Sequence, residues 1–222
     1  MTCPMTCSVC GKPSNGLLCA LCLDQLRRVL CALVLVLFSP VSHALNFGKP
    51  VSFGVAVDMT SPHLANQHRL VIESLLTRVA RVGDSVQLVR ICNQPQTVAE
   101  LKLTSKLSTS AIKRLVSEVT KPCNTRGSAI TSGLETLGSK NVYLILSDGG
   151  LTDDNRRADF TRVTRVVMSD RNVHALAFFG LTSQRDSVKA QLPTDARILT
   201  AGSADLSNVY AQLVALIKAG RK

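Results

Sequence analysis

The residues best placed to do chemistry fall into three groups. Near the amino terminus, Cys7-Ser-Val-Cys10 and Cys19-Ala-Leu-Cys22 form two CxxC turns separated by eight residues. Four thiolates at that spacing would close a tetrahedral zinc site, with Gly11 supplying a permissive backbone and the stretch Lys12 to Gly16 a turn that returns the chain. A cysteine-rich leader without metal is the alternative. The second group is spread over three short segments: Asp58-Met59-Thr60-Ser61-Pro62, Thr125-Arg126-Gly127-Ser128 and Ser147-Asp148-Gly149-Gly150. Two carboxylates with hydroxyls and water are hard oxygen donors of the kind magnesium or manganese takes, and they leave a coordination position for a partner's carboxylate. No His, Cys or Lys base lies within these segments, so the chemistry suits binding better than hydrolysis. The plainer reading is that Asp58 and Asp148 cap loops by accepting hydrogen bonds from turn amides. His63 lies beside the first segment and could ligate a softer metal, although a first-turn helix residue is the simpler account. The third group is the pair Cys92 and Cys123.

Positioning those segments is the task of an alternating pattern of β-branched runs and helical periodicities from Val51 onward, which implies a mostly parallel sheet covered on both faces. Strands are expected at Val51 to Val57, Ser85 to Ile91, Thr97 to Leu103, Asn141 to Leu146, Val173 to Phe179 and Ala196 to Thr200. The third follows the second closely enough to be an antiparallel edge partner. Helices are expected at His63 to Val82, Ser110 to Val119, Ala129 to Leu137, Arg156 to Met168 and Arg185 to Gln191. A last one is expected after Ser203, running to Ala219. The first carries Leu64, His68, Val71, Leu75 and Val79 on one face, and the last Leu206, Val209, Leu213 and Ile217. Asp154 or Asn155 would cap the fourth helix and Ser203 the last. Six strands and about six helices in this order form an α/β doubly wound sheet, which binds ligands beyond the carboxyl ends of its strands at a topological switch point. The three hydroxyl-and-carboxylate segments are the loops that would meet there.

In those loops the chain resembles the von Willebrand factor A family, over roughly Val51 to Ala219. That family's metal-ion-dependent adhesion site combines a DxSxS loop, a threonine loop and an aspartate loop. By position, Asp58 matches the first aspartate, Thr60 the first serine, Ser128 the threonine and Asp148 the last aspartate. Pro62 stands where the family has its second serine, so Ser61 or water would have to supply that oxygen. The resemblance implies a protein-interaction module that captures an acidic group of its partner through Mg2+ or Mn2+, without catalysis.

Cys92 would end the second strand, and Cys123 lies in the turn leading to Gly127 and Ser128, so both belong near the carboxyl-end face. A disulfide there would close a loop of about 30 residues, contribute on the order of 3 kcal/mol, and hold the Ser128 loop beside Asp58. Two buried free thiols are the alternative.

Ahead of this domain, Arg27-Arg28 precedes the aliphatic run Val29 to Phe38 and then Ser39-Pro40-Val41-Ser42-His43-Ala44. These are the parts of a secretory signal cleaved after Ala44, or of a membrane anchor over Val29 to Leu45 that is short for a span of about 20 residues. Either way the domain is expected to leave the cytoplasm; a buried core helix is the third reading of the run. Three regions follow: a zinc-ribbon-like leader at 1–26, a signal or anchor at 27–45, and the α/β domain at 46–222.

Charge narrows the partners less sharply. The net charge is +11, and from Asn46 onward 23 Lys or Arg face 14 Asp or Glu, leaving +9 on the large domain. No arginine run or aromatic-basic interleaving concentrates it, so a nucleic-acid groove is disfavoured and an anionic surface is equally compatible. A metal-dependent hydrolase would be expected to carry a second acid two positions after Asp58, where Thr60 stands. A basic nucleic-acid-binding or zinc scaffold protein would need the leader and the domain on the same side of the apolar segment.

Overall fold

The computed structural model describes residues 48–60, 62–123, 127–150, 157–182 and 184–222; the cysteine-rich leader and the apolar segment lie outside them. Gly48–Lys222 forms one compact unit. Its strands are β1 (Ser52–Asp58), β2 (Ser85–Ile91), β3 (Pro95–Lys102), β4 (Val142–Leu146), β5 (Ala175–Phe179) and β6 (Ile198–Ala201). They form one sheet in the order β3-β2-β1-β4-β5-β6, with only the β2–β3 pair antiparallel. This is the doubly wound, mostly parallel sheet with one antiparallel edge that the sequence pattern implies.

The central strands are apolar along their length because both of their faces are covered. Phe53, Val55 and Val57 of β1 point to one face, where they pack with Val71, Ile72, Leu75, Ile112, Val116, Leu213 and Ile217. Those residues come from α1 (Ala65–Ser74) and its continuation, α2 (Thr109–Val119) and α6 (Leu206–Gly220). Ala56 points to the other face, against Ile130, Leu134, Phe160 and Val188 of α3 (Ile130–Leu137), α4 (Arg157–Ser169) and α5 (Arg185–Gln191). Each fully buried aromatic or aliphatic side chain in these layers contributes about 2 kcal/mol.

Several boundaries differ from the sequence expectation, each for a local reason. The first helix is not one continuous α-helix. A 3-10 turn at Pro62–Leu64 leads into α1, and a π-helical turn at Leu75–Val79 ends it, closed by the Ala80 N–H donating to the Leu75 carbonyl at 2.8 Å. Ala80 is extended, so the helix stops short of Val82 and the chain turns at Gly83, whose φ of 97° suits a residue without Cβ. Helix α2 starts one residue early because Ser108 caps it, its hydroxyl accepting from the Ala111 N–H at 3.2 Å. Helix α6 starts after Asp205 rather than after Ser203, since the Asp205 carboxylate is engaged by the Gly202 N–H and Arg185. The expected cap of α4 at Asp154 or Asn155 falls outside the described residues.

Candidate divalent-cation site

Strand β1 lies between β2 and β4, and its outgoing connection leads to β2 while β4 arrives on its other side. The loops leaving β1 and β4 therefore diverge and open a crevice at the carboxyl end of the sheet. Asp58, the last residue of β1, pairs in register with Ile91 at the end of β2. Its side chain is fully buried at the base of that crevice.

Three hydroxyls converge on the Asp58 carboxylate. Thr60 donates to Oδ1 from both its backbone N–H, at 3.0 Å, and its Oγ1, at 2.6 Å. Ser128 and Ser147 both donate to Oδ2, the latter at 2.9 Å. Thr60 Oγ1 and Ser128 Oγ are themselves 3.2 Å apart. Among the described residues no Lys, Arg or His makes an ion pair with Asp58. A buried carboxylate ordinarily has a cationic partner, because desolvation of the charge is otherwise costly. Here hydroxyl dipoles take that place.

Each of these side chains is delivered by a different element. Thr60 follows β1, and Met59 between them is fixed by its N–H donating to the Ile91 carbonyl at 3.1 Å and its carbonyl accepting from the Cys123 N–H at 3.4 Å. Ser128 stands two residues ahead of α3, whose start is tied to β2 by the Ala129 N–H donating to the Cys92 carbonyl at 3.3 Å. Ser147 follows β4, and its hydroxyl also accepts from the Gly149 N–H at 3.1 Å. Asp148, half-buried, turns its carboxylate onto the Gly150 N–H at 2.9 Å, while its carbonyl accepts from Thr182 at 3.1 Å.

Asp58, Thr60 and Ser128 are thus brought together, and Asp148 stands one residue beyond Ser147 in the adjoining loop. Ser61 lies outside the described residues, as do Cys7, Cys10, Cys19 and Cys22. His63 is exposed in the 3-10 turn. Ser147 is the member of the set that sequence reasoning misses; a hydroxyl directly before the aspartate at a strand end is the signal that could have found it. The fit to a hard divalent cation is good: a carboxylate, two neighbouring hydroxyls and a second carboxylate one loop away, with no thiolate or imidazole in the set.

Two further features frame the site. Cys92 and Cys123 are joined in a disulfide with a Cα separation of 5.7 Å. Beneath the β4 loop lies His68 of α1, fully buried, with neither ring nitrogen hydrogen-bonded among the described residues. Burial holds its pKa down to about 4, opposed by the Asp148 carboxylate and assisted by His63. A Cβ added at Gly180, whose φ is 93°, would lie 3.1 Å from His68 Nε2 and 3.2 Å from the Ser147 carbonyl, so the ring and that loop leave no room between them.

No protein-family model and no curated protein sequence matches the chain. Solved structures do. The chain is similar to proximal thread matrix protein 1 from the mussel byssus (TM-score 0.56, 16% identity, 77% of this chain and 46% of that one). It is similar to a von Willebrand factor type A protein from Catenulispora acidiphila (TM-score 0.52, 12% identity, 78% and 43%). It is also similar to the manganese-loaded TRAP protein of Plasmodium vivax (TM-score 0.55, 15% identity, 78% and 73%). The chain spans less than half the length of the first two. At these identities the likeness is one of fold, and that fold is the von Willebrand factor A type.

Proposed function

We propose that this von Willebrand factor A-type domain is a protein-interaction module that captures an acidic group of its partner through a divalent cation held by Asp58, Thr60, Ser128 and Asp148, with Ser61 as an accessory oxygen. The observation that carries the reading is the fully buried Asp58 carboxylate, ringed by three hydroxyls at the switch point and paired with no basic side chain among the described residues. The hydroxyl dipoles offset only part of that buried charge, and a cation held by these hard oxygen donors would complete the compensation. Mg2+ or Mn2+ bound there supplies Lewis acidity toward a carboxylate ligand. The protein's own part is to hold the oxygens: β1 fixes Asp58, the Met59 hydrogen bonds aim Thr60, and the start of α3 presents Ser128. The Plasmodium vivax TRAP protein, similar in fold, is manganese-loaded, which makes manganese the natural first probe here.

The same reading places the domain outside the cytoplasm, exported or anchored through Val29 to Leu45. A disulfide within the domain accords with an oxidising compartment. The leader cysteines Cys7, Cys10, Cys19 and Cys22 are then a separate zinc-binding unit. Among the described residues no helix is long and apolar enough to cross a membrane.

Manganese titration of the full chain, read by the electron paramagnetic resonance of the free aquo ion, tests the cation. Wild type takes up one equivalent at the domain and Asp148→Ala takes up none there. No uptake by either protein would leave Asp58 as a carboxylate satisfied by hydroxyls alone, and equal uptake by both would remove Asp148 from the proposed site; either result leaves the adhesion mechanism without support.

A further inference from the structure

We propose that the end of the domain opposite the cation site is a docking face for an anionic bilayer surface, built from Lys49, Arg81, Lys102, Lys106 and Lys222 around an exposed Val82. The topology gathers these residues. Strands β1, β2, β4, β5 and β6 run parallel, so their amino-terminal ends lie together, and the antiparallel β3 returns Lys102 to that end, opposite Ser85 in register. Backbone hydrogen bonds knit the corner. The Lys49 N–H donates to the Arg221 carbonyl at 2.9 Å, the Gly83 N–H to the Leu103 carbonyl at 2.7 Å, and the Leu103 N–H to the Asp84 carbonyl at 2.8 Å. All five cations are exposed, and none makes an ion pair among the described residues. Asp84, the carboxylate at the centre, is buried and taken by Arg221, so it leaves their charge uncompensated. Glu100, two residues before Lys102 on β3, is the exposed carboxylate nearest to that lysine along the chain. His174, just ahead of β5 at the same end, feels the resulting field: burial first, then the charges of Arg221, Lys49 and Arg197, hold its pKa below the ordinary value.

Charge by itself would equally suit a nucleic acid, and the surroundings decide for a bilayer. Val82 is 56% exposed among the cations. Pro50 is exposed beside its turn, since a Cβ added at Gly83 would lie 4.0 Å from Pro50 Cγ. Apolar tips framed by long cationic side chains match the boundary where lipid headgroups give way to acyl chains. The segments 48–50, 80–84, 102–107 and 218–222 hold no aromatic residue on which a base would stack. The occupant also follows from the anchored form of the function proposed above, on which this choice rests. A membrane-spanning segment ending at Leu45 leaves three residues to Gly48, a reach of at most about 10 Å, and Gly48 enters the fold at this end. Strand β1 then carries the chain on the order of 20 Å to Asp58. Docking by this face therefore turns the cation site away from the bilayer and leaves it open to a partner.

The test uses the full chain with vesicles of phosphatidylcholine alone and vesicles in which half the lipid is phosphatidylglycerol. Modification of lysines by an amine-reactive ester is mapped by mass spectrometry. On the anionic vesicles Lys102 and Lys106 are expected to react at least about threefold more slowly than on the neutral ones, with the difference abolished by high salt. Lys121, exposed just beyond the other end of α2, keeps its rate. Each cation near an anionic surface strengthens binding about fivefold, so Lys102→Gln/Lys106→Gln is expected to weaken flotation with the anionic vesicles by on the order of 25-fold. Equal labelling on both vesicle types with unchanged flotation of the variant overturns the docking face. Protection by double-stranded DNA without protection by anionic vesicles overturns it as well. Flotation with phosphatidylcholine alone reports the apolar segment: a chain that stays in solution there removes the anchor, and the docking face is still decided by labelling on the anionic vesicles.

Discussion

Arg221, at the carboxyl end of α6, grips Asp84 across 137 positions of sequence with a two-pronged ion pair, Nη1 to Oδ1 at 2.9 Å and Nη2 to Oδ2 at 2.6 Å. Both residues are buried, at 5% and 1% exposure, and the same carboxylate accepts the Val51 N–H at 2.8 Å and the Arg81 N–H at 2.8 Å. The start of β1, the turn after the π-helical segment and the end of α6 thus share one charge. Removing the guanidinium leaves a buried carboxylate with amide donors only. Arg221→Ala is expected to cost about 3 to 5 kcal/mol in urea unfolding, and truncation before Arg221 about the same. A loss under 1 kcal/mol would show the pair to be dispensable.

The hydroxyls around Asp58 have separable duties. Thr60→Val and Ser128→Ala remove oxygens proposed to face the cation, so manganese affinity is expected to fall at least about tenfold while stability changes by about 1 kcal/mol. Ser147→Ala instead deprives the Gly149 N–H of its acceptor and Asp58 of a donor at a buried position. Its expected effect is a stability loss of about 1 to 3 kcal/mol with a smaller change in affinity. Calorimetric titration beside thermal unfolding of the three variants separates the roles; a Ser147→Ala protein that loses manganese but not stability would reassign Ser147 as a ligand.

Acid should weaken the fold through His68. Burial lowers its folded-state pKa from 6.5 to about 4, so below 6.5 the unfolded chain takes up a proton that the folded chain refuses. The stability tied to the neutral ring is fully present above pH 6.5 and is lost as the pH falls toward 4, to a total of about 3 kcal/mol. The exchange is worth that much only because the ring is enclosed by α1, Gly180 and the Ser147 carbonyl. His68→Leu is expected to flatten the dependence between pH 6.5 and 4 in chemical-denaturation curves. An equally steep loss in the variant would move the cause to another group.

Much of this architecture was legible in the chain because the informative residues repeat. Val51 to Val57, Asn141 to Leu146 and Val173 to Phe179 are apolar on both faces, which marks central strands of a parallel sheet, and the loops that follow the first two hold Asp58 and Asp148. The candidate-site residues named from residue type were Asp58, Thr60 and Asp148, at or just after strand ends, and Ser128, just ahead of α3; of these the fold brings Asp58, Thr60 and Ser128 into contact. What escaped was set by geometry alone. The π-helical turn at Leu75–Val79 has the same apolar spacing as an ordinary helix. Ser147 reads as loop until the parallel pairing of β1 and β4 places its hydroxyl on Asp58. The Asp84–Arg221 pair has no local signature, since the two residues meet only when α6 packs along the sheet.

The last expectation concerns how closely α3 must approach the sheet. Gly133 sits inside that helix, and a Cβ built there would lie 2.5 Å from Ile91 Cδ1 and 2.9 Å from Ile91 Cγ1. Replacing glycine by alanine in a helix interior ordinarily stabilises by about 1 kcal/mol. Here the added methyl overlaps two atoms of a fully buried side chain, and overpacking of this kind costs about 1 to 3 kcal/mol. The steric term wins, so Gly133→Ala is expected to be destabilising by up to about 2 kcal/mol. Relief by displacing α3 would also carry Ser128 away from Asp58, because the helix starts two residues after it. Manganese affinity should therefore fall in Gly133→Ala although the residue is remote from the cation, and Ile91→Ala in the same chain should restore part of that affinity while lowering stability through the apolar contacts it removes. A Gly133→Ala protein more stable than wild type, with unaltered affinity, would show that Ile91 yields at no cost and that the spacing of α3 does not control the site.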